Sequence, residues 1–147
     1  ILMNRNYEIK DVESAADKAE ILEEIQEFPM KFETVIAELG HNISGGQKQR
    51  IIIARALLSK PGVLVFDEAT SSVDNETERK ISENLSKEGS ILINVAHRLS
   101  TIVDSDKIIV MKNGTCIGQG NHKMLLKSND FYKQLYKERE ELNKNEP

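Results

Sequence analysis

Val63-Leu64-Val65-Phe66, followed at once by Asp67-Glu68, restricts this chain more than any other stretch. The apolar run from Gly62 to Phe66 is too short for a helix and fits a strand buried in a parallel sheet. Helix-like segments stand on both sides of it, and helix, strand, helix, strand in succession argues for an α/β layer architecture. Such sheets bind ligands beyond the carboxyl ends of their strands, which is where Asp67 and Glu68 lie.

Residues 13–28 read as a helix, because Ala15, Ala16, Ala19, Ile21, Leu22, Ile25 and Phe28 recur at helical spacing. Pro29 closes it, and residues 30–43 read as a loop. Ser44 can cap a second helix running to about Ser59, which Pro61 stops. Its later turns are apolar nearly all round, so burial is expected. Asn75-Glu76-Thr77-Glu78 resembles a capping box and opens a third helix to about Lys87; Ser90–Val95 is the next strand. Lys107–Met111 and Thr115–Gln119 flank Lys112-Asn113-Gly114, a strong hairpin signal. Residues 121–128 and 129–142 read as two more helices before a polar tail. No internal repeat or low-complexity linker interrupts the chain.

Charge and cysteine usage narrow the class. A net charge of -4 gives no basic stripe for nucleic acid. Cys116 is the single cysteine, so no disulfide can form within the chain and a reducing compartment is expected. No apolar run approaches the roughly 18 residues needed to cross a bilayer, and no secretory signal opens the chain. It starts Ile1-Leu2-Met3, which suggests a piece of a longer polypeptide.

Three constellations carry chemistry. Asp67 is placed to hold Mg²⁺ through water, and Glu68 to polarise an attacking water. Ile43-Ser44-Gly45-Gly46-Gln47 lets a backbone approach a phosphate without a Cβ, with helix N–H groups facing the anion. His97, just after the strand Ser90–Val95, can bond a phosphate oxygen or hold the attacking water. Each has a plainer alternative: a solvated acidic turn, a capped glycine turn, a structural histidine. Asp74 reads equally as a turn residue, and His41 and His122 as structural.

Taken in order, Ser44–Gln47, Asp67-Glu68, Asp74 and His97 resemble the ABC ATPase family over residues 13–142. Ile43–Gln47 resembles the family's signature motif, with Ile in place of the usual Leu. Val63–Asp67 resembles Walker B, followed by the catalytic Glu68; Ser71–Asp74 resembles the D-loop and His97 the switch histidine. Thr34–Gly40, with Glu38, is similar to the exporter loop that touches the transmembrane domain, although Ala37 replaces a usual Gly. Ala96–Ile102 and the Gly114…Gly118…Gly120-Asn121-His122 ending resemble exporter half-transporters.

The resemblance implies a partial P-loop NTPase (RecA-like) α/β core with a mostly parallel sheet and a C-terminal hairpin, plus the helical subdomain of ABC proteins. Residues 1–60 would form the helical signature subdomain, and 61–147 the C-terminal part of the ATPase core. ATP and Mg²⁺ would be the cofactors. Ser44, Gly45, Gly46 and Gln47 would contact the γ-phosphate of ATP held by a second nucleotide-binding domain. Asp67, Glu68 and His97 would serve the chain's own ATP, with Asp74 linking the two sites. A transmembrane domain, N-terminal on the same chain, would place the assembly at the cytoplasmic face of the cell membrane. Motor of an exporter is the leading expectation. A DNA-maintenance ATPase of the same superfamily and a non-catalytic interaction module are the alternatives.

The departure from the family is large. None of the eight glycines opens G-x-x-x-x-G-K-[ST], so the phosphate-cradling loop is missing, as are the adenine-stacking aromatic and the Q-loop glutamine that the family carries upstream. Weak ATP binding by this stretch alone, and a sheet with unpaired edges, are the expectations.

Overall fold

The computed structural model describes residues 7–36, 42–67, 72–87, 89–95 and 102–144, without the side chains of 139 and 142–144. The chain packs as two compact units, residues 1–95 and 96–147. The division expected at 60/61 falls inside the first of these units.

In the first unit the order is α1 (Ile9–Lys18), α2 (Leu22–Glu27), a 3-10 turn (Lys31–Glu33), α3 (Gly45–Leu57), β1 (Val63–Asp67), α4 (Asn75–Lys87) and β2 (Ile91–Val95). The single helix expected over 13–28 is in fact two. Glu20 takes a left-handed conformation, φ 54, which breaks the helix and still turns Ala19 and Ile21 into the core. Ala16, Ala19, Ile21 and Ile25 meet Ile51, Ile53 and Ala54 of α3, Leu64 and Phe66 of β1, and Ile81 and Leu85 of α4. Helix α3 is less buried than its sequence suggested: Ile52 is half exposed, because α3 packs on one side only.

Strands β1 and β2 pair in parallel, Val63 against Ile91 through to Asp67 against Val95, with α4 as the crossover. Leu64 and Phe66 face the core. The expectation of a strand buried on both faces is corrected here. Val63, Val65, Ile91, Ile93 and Val95 are all about half exposed or more, up to 62% for Val65. Helices cover one face of a two-stranded sheet, so alternate side chains stay bare. Among the described residues each strand also has one neighbour only, which fits the expected unpaired edges.

The second unit holds β3 (Ile108–Lys112), β4 (Thr115–Gly120), α5 (His122–Ser128) and α6 (Asp130–Lys144). Among the described residues the sheets are thus a small parallel pair and a C-terminal antiparallel hairpin, as the α/β reading expected. The hairpin turns on Asn113 and Gly114, both with positive φ (49 and 75), as an Asn-Gly turn of primed type requires. Val110, Leu125 and Tyr132 form its small core. Asn121 caps α5, accepting from Met124 N–H at 2.9 Å, and Asn129 caps α6, accepting from Tyr132 N–H at 2.9 Å. His122 Nδ1 lies 2.9 Å from the Tyr132 hydroxyl.

Candidate functional site

The start of α3 is built by a reciprocal cap. Ser44 is extended, φ -70 and ψ 162. Its Oγ accepts from Gln47 N–H at 3.1 Å, while Gln47 Oε1 accepts from Ser44 N–H at 2.8 Å. Helix geometry leaves the first N–H groups without intrahelical acceptors. Gly45 and Gly46 N–H have no acceptor among the described residues, and Ser44 and Gly45 are exposed. The Ser44 hydroxyl accepts one bond and keeps its own hydrogen to donate. Three donors, backed by the helix dipole, therefore gather at one turn, which suits an anion.

Gln47 is held differently from its neighbours. Its amide is turned inward, Oε1 to Ser44 N–H and Nε2 to Glu24 at 2.7 Å. Sequence reading grouped it with Ser44 and the glycines as a phosphate contact. It missed Glu24, whose carboxylate also accepts from Arg50 at 2.6 Å. Arg50 in a helix of aliphatic residues was the available signal, because a shielded guanidinium requires a counter-charge.

The turn rests on the segment before α4. Gln49 Oε1 accepts from Ser72 N–H at 2.9 Å. A Cβ on Gly46 would stand 2.9 Å from the Ser72 carbonyl oxygen, so this glycine is required by packing as well as by any ligand. Two residues on, Asp74 Oδ1 accepts from Glu76 N–H at 3.1 Å and Thr77 N–H at 3.0 Å. Asp74, not Asn75, is therefore the cap of α4, which corrects the expected Asn75-Glu76-Thr77-Glu78 box. The Thr77 N–H, then the Thr77 side chain and the Glu76 N–H, hold the Asp74 carboxyl below its ordinary value. The structure thus brings Ser44–Gln47 and Asp74 to one corner of the first unit.

Asp67 ends β1 opposite Val95 and is exposed. No hydrogen bond or ion pair joins it to Ser44–Gln47 or Asp74 among the described residues. An exposed carboxylate at a strand tip, without a hydrogen-bond or ion-pair partner among the described residues, fits a hydrated cation. Glu68, Ser71, His97, Ala37, Glu38, Gly40 and His41 lie outside the described residues.

The family model described as ABC transporter matches residues 2–71. The ATP-dependent lipid A-core flippase of Haemophilus influenzae is 47% identical over 133 residues, 88% of this chain and 22% of that protein. The multidrug resistance-like ATP-binding protein MdlA of Buchnera aphidicola is 48% identical over 130 residues, 86% of this chain and 22% of that protein. A solved bacterial Atm1-family ABC exporter with ATP bound superposes with a TM-score of 0.85 at 38% identity, covering 90% of this chain and 23% of that one. The chain thus spans about a fifth of the length of these relatives.

Proposed function

The chain belongs to the ABC transporter family, on its exporter side, and from that premise we propose that it supplies the signature and Walker B half of an ATP-driven export motor. The observation that carries the proposal is the capped start of α3, where Ser44 and Gly45 stand exposed, Gly46 is half-buried, and the Gly45 and Gly46 N–H groups have no acceptor among the described residues. These three would bind the γ-phosphate of ATP held by a second nucleotide-binding domain, and Gln47 would shape the turn from behind. Asp67 would hold Mg²⁺ through water, and the ion would neutralise phosphate charge. Glu68 would orient and deprotonate the attacking water, and His97 would hold it against the phosphate. Asp74, beside the serine–glycine turn, would couple the two sites of the dimer. Residues 1–60 would act as the signature subdomain and 61–147 as the C-terminal part of the core. A transmembrane domain on the same polypeptide would place the motor at the cytoplasmic face of the cell membrane.

The similarity selects a motor and not a cargo. Two relatives with different printed roles, a lipid A-core flippase and a multidrug resistance-like protein, are 47% and 48% identical to the chain. The test is ATP hydrolysis by the complete polypeptide that contains this segment. Glu68→Gln is expected to lower turnover by about 10²–10⁴-fold while ATP still binds, the usual contribution of a general base. Wild-type turnover in both Glu68→Gln and Ser44→Arg would overturn the proposal.

A further inference from the structure

A polar cluster stands behind the serine–glycine turn. Glu24, on α2, accepts from Gln47 Nε2 with one carboxylate oxygen at 2.7 Å and from Arg50 with the other at 2.6 Å. The Arg50 side chain is only 14% exposed. It also donates to the Gly46 carbonyl at 3.4 Å and to the Glu20 carbonyl. Glu20 in turn accepts from Asn84 of α4 at 2.9 Å. Helices α2, α3 and α4 therefore meet at one half-buried ion pair, its Arg50 shielded and its Glu24 36% exposed, and the pair ends on Gln47.

We propose that Glu24 is a positioning residue for the phosphate-facing turn: it fixes the orientation of the Gln47 amide and, through it, the backbone of Ser44. The inference rests on the reading of Ser44–Gly46 as a phosphate contact. An amide has two ends of nearly equal shape, one accepting and one donating. Only one orientation satisfies both neighbours, because Ser44 N–H can only donate and the Glu24 carboxylate can only accept. A neutral or absent partner at 24 weakens that preference, since a flipped amide would then lose the Ser44 bond alone and not both bonds. The charge also polarises the amide and strengthens Oε1 as an acceptor.

A carboxylate behind an anion site would repel the anion if it stood alone. Arg50 cancels that charge, and its bonds to two backbone carbonyls leave it little freedom to leave. Burial alone would raise the Glu24 carboxyl. The bonds from Arg50 and Gln47, with the Arg50 charge, outweigh burial and hold it below its ordinary value, so it stays ionised at neutral pH. What the ligand meets is then a neutral pair that orders Ser44.

The experiment is ATPase kinetics on the complete polypeptide containing this segment. E24Q is expected to raise the KM for ATP about 3–10-fold with kcat changed less than about 2-fold, the pattern of lost uniform binding. In a Q47A background E24Q is expected to add less than about 2-fold, because Glu24 acts through Gln47. A purely scaffolding role would instead lower the melting temperature, leave KM unchanged and add fully to Q47A; that result overturns the proposal. S44A separates the two readings. If S44A raises KM and E24Q does not, the Glu24 proposal alone fails; if S44A leaves KM unchanged, the phosphate reading beneath it fails. Should E24Q not accumulate, Q47A and E24D in the same assay break or preserve the link, and unchanged KM in Q47A overturns the proposal.

Discussion

Gly45 and Gly46 are adjacent, helical and chemically identical, yet alanine at the two positions should have opposite effects on stability. A methyl on Gly46 would lie 2.9 Å from the Ser72 carbonyl oxygen, a backbone atom, about half an ångström inside ordinary contact. Ser72 cannot retreat easily, because its N–H is bonded to Gln49 of the same helix at 2.9 Å. Overpacking of this kind costs about 1–3 kcal/mol. Replacing a helical glycine by alanine returns about 0.5–1 kcal/mol of conformational entropy and propensity. The balance for Gly46→Ala is a loss of about 1 kcal/mol. At Gly45 the nearest atoms, Ser72 Cβ and Oγ, are at 3.5 Å, an ordinary contact. Only the propensity gain remains there, about 0.5 kcal/mol at a first-turn position. The difference of about 1.5 kcal/mol corresponds to about 1 M in urea midpoint at the usual slopes. The assay is urea unfolding of both variants followed by circular dichroism. A Gly46→Ala midpoint at or above that of Gly45→Ala would refute the claim that the Ser72 carbonyl, and not a ligand alone, demands glycine.

Three further outcomes follow from the same geometry. Asp74→Ala should cost about 1 kcal/mol by removing the cap of α4, and Asp74→Asn much less. Because the folded carboxyl of Asp74 is lowered, its contribution is present above the ordinary carboxylate value and fades as pH falls through the lower folded one. Asp74→Asn should therefore flatten the acid limb of a stability–pH curve, and an unchanged limb would contradict the cap. In β1, Leu64→Ala should cost about 2–5 kcal/mol, whereas Val65→Thr on the bare face should stay within about 0.5 kcal/mol; equal costs in urea unfolding of this chain would mean the face is covered. Tyr132→Phe should lose the His122 bond and about 1 kcal/mol. It should also remove an ionisation above the ordinary tyrosine value from an alkaline ultraviolet titration, since burial, and then Tyr136, raise the Tyr132 hydroxyl.

Local signals were legible where one residue type answers one backbone demand. Asn113-Gly114 announced its turn, and Ser44 with Gln47 three residues on announced a capped helix. Asp74 and Asn75 could each cap, and which one does is settled by backbone direction, which composition does not carry. The break at Glu20 left no mark, because the spacing of Ala19 and Ile21 stays helical across it and no glycine or proline intervenes. Glu24 looked like one of several charged residues on an amphipathic face; only folding reveals that Arg50, 26 positions later, ends beside it. The apolar character of Val63 and Val65 was plain, but whether a side chain is covered depends on how many layers the chain can assemble. The acidic pair and the histidine were recognised by order and spacing, and of these Asp67 alone falls among the described residues.

Strand β1 is apolar on both faces up to its acidic tip, and this has a consequence for where that tip ends up. In most half-buried strands a slip of one residue would turn polar groups inward, and that cost keeps the pairing in place. Here a slip would exchange Leu64 and Phe66 for Val63 and Val65, so hydrophobicity discriminates weakly between alignments. What anchors the alignment is the entrance: Ser90 Oγ donates to the Pro61 carbonyl at 2.9 Å, and Ile91 N–H to the Gly62 carbonyl at 2.9 Å. A slip would move Asp67 about 3.3 Å along its neighbour and reverse its direction. The address of the carboxylate is thus written by a serine hydroxyl at the far end of the strand pair.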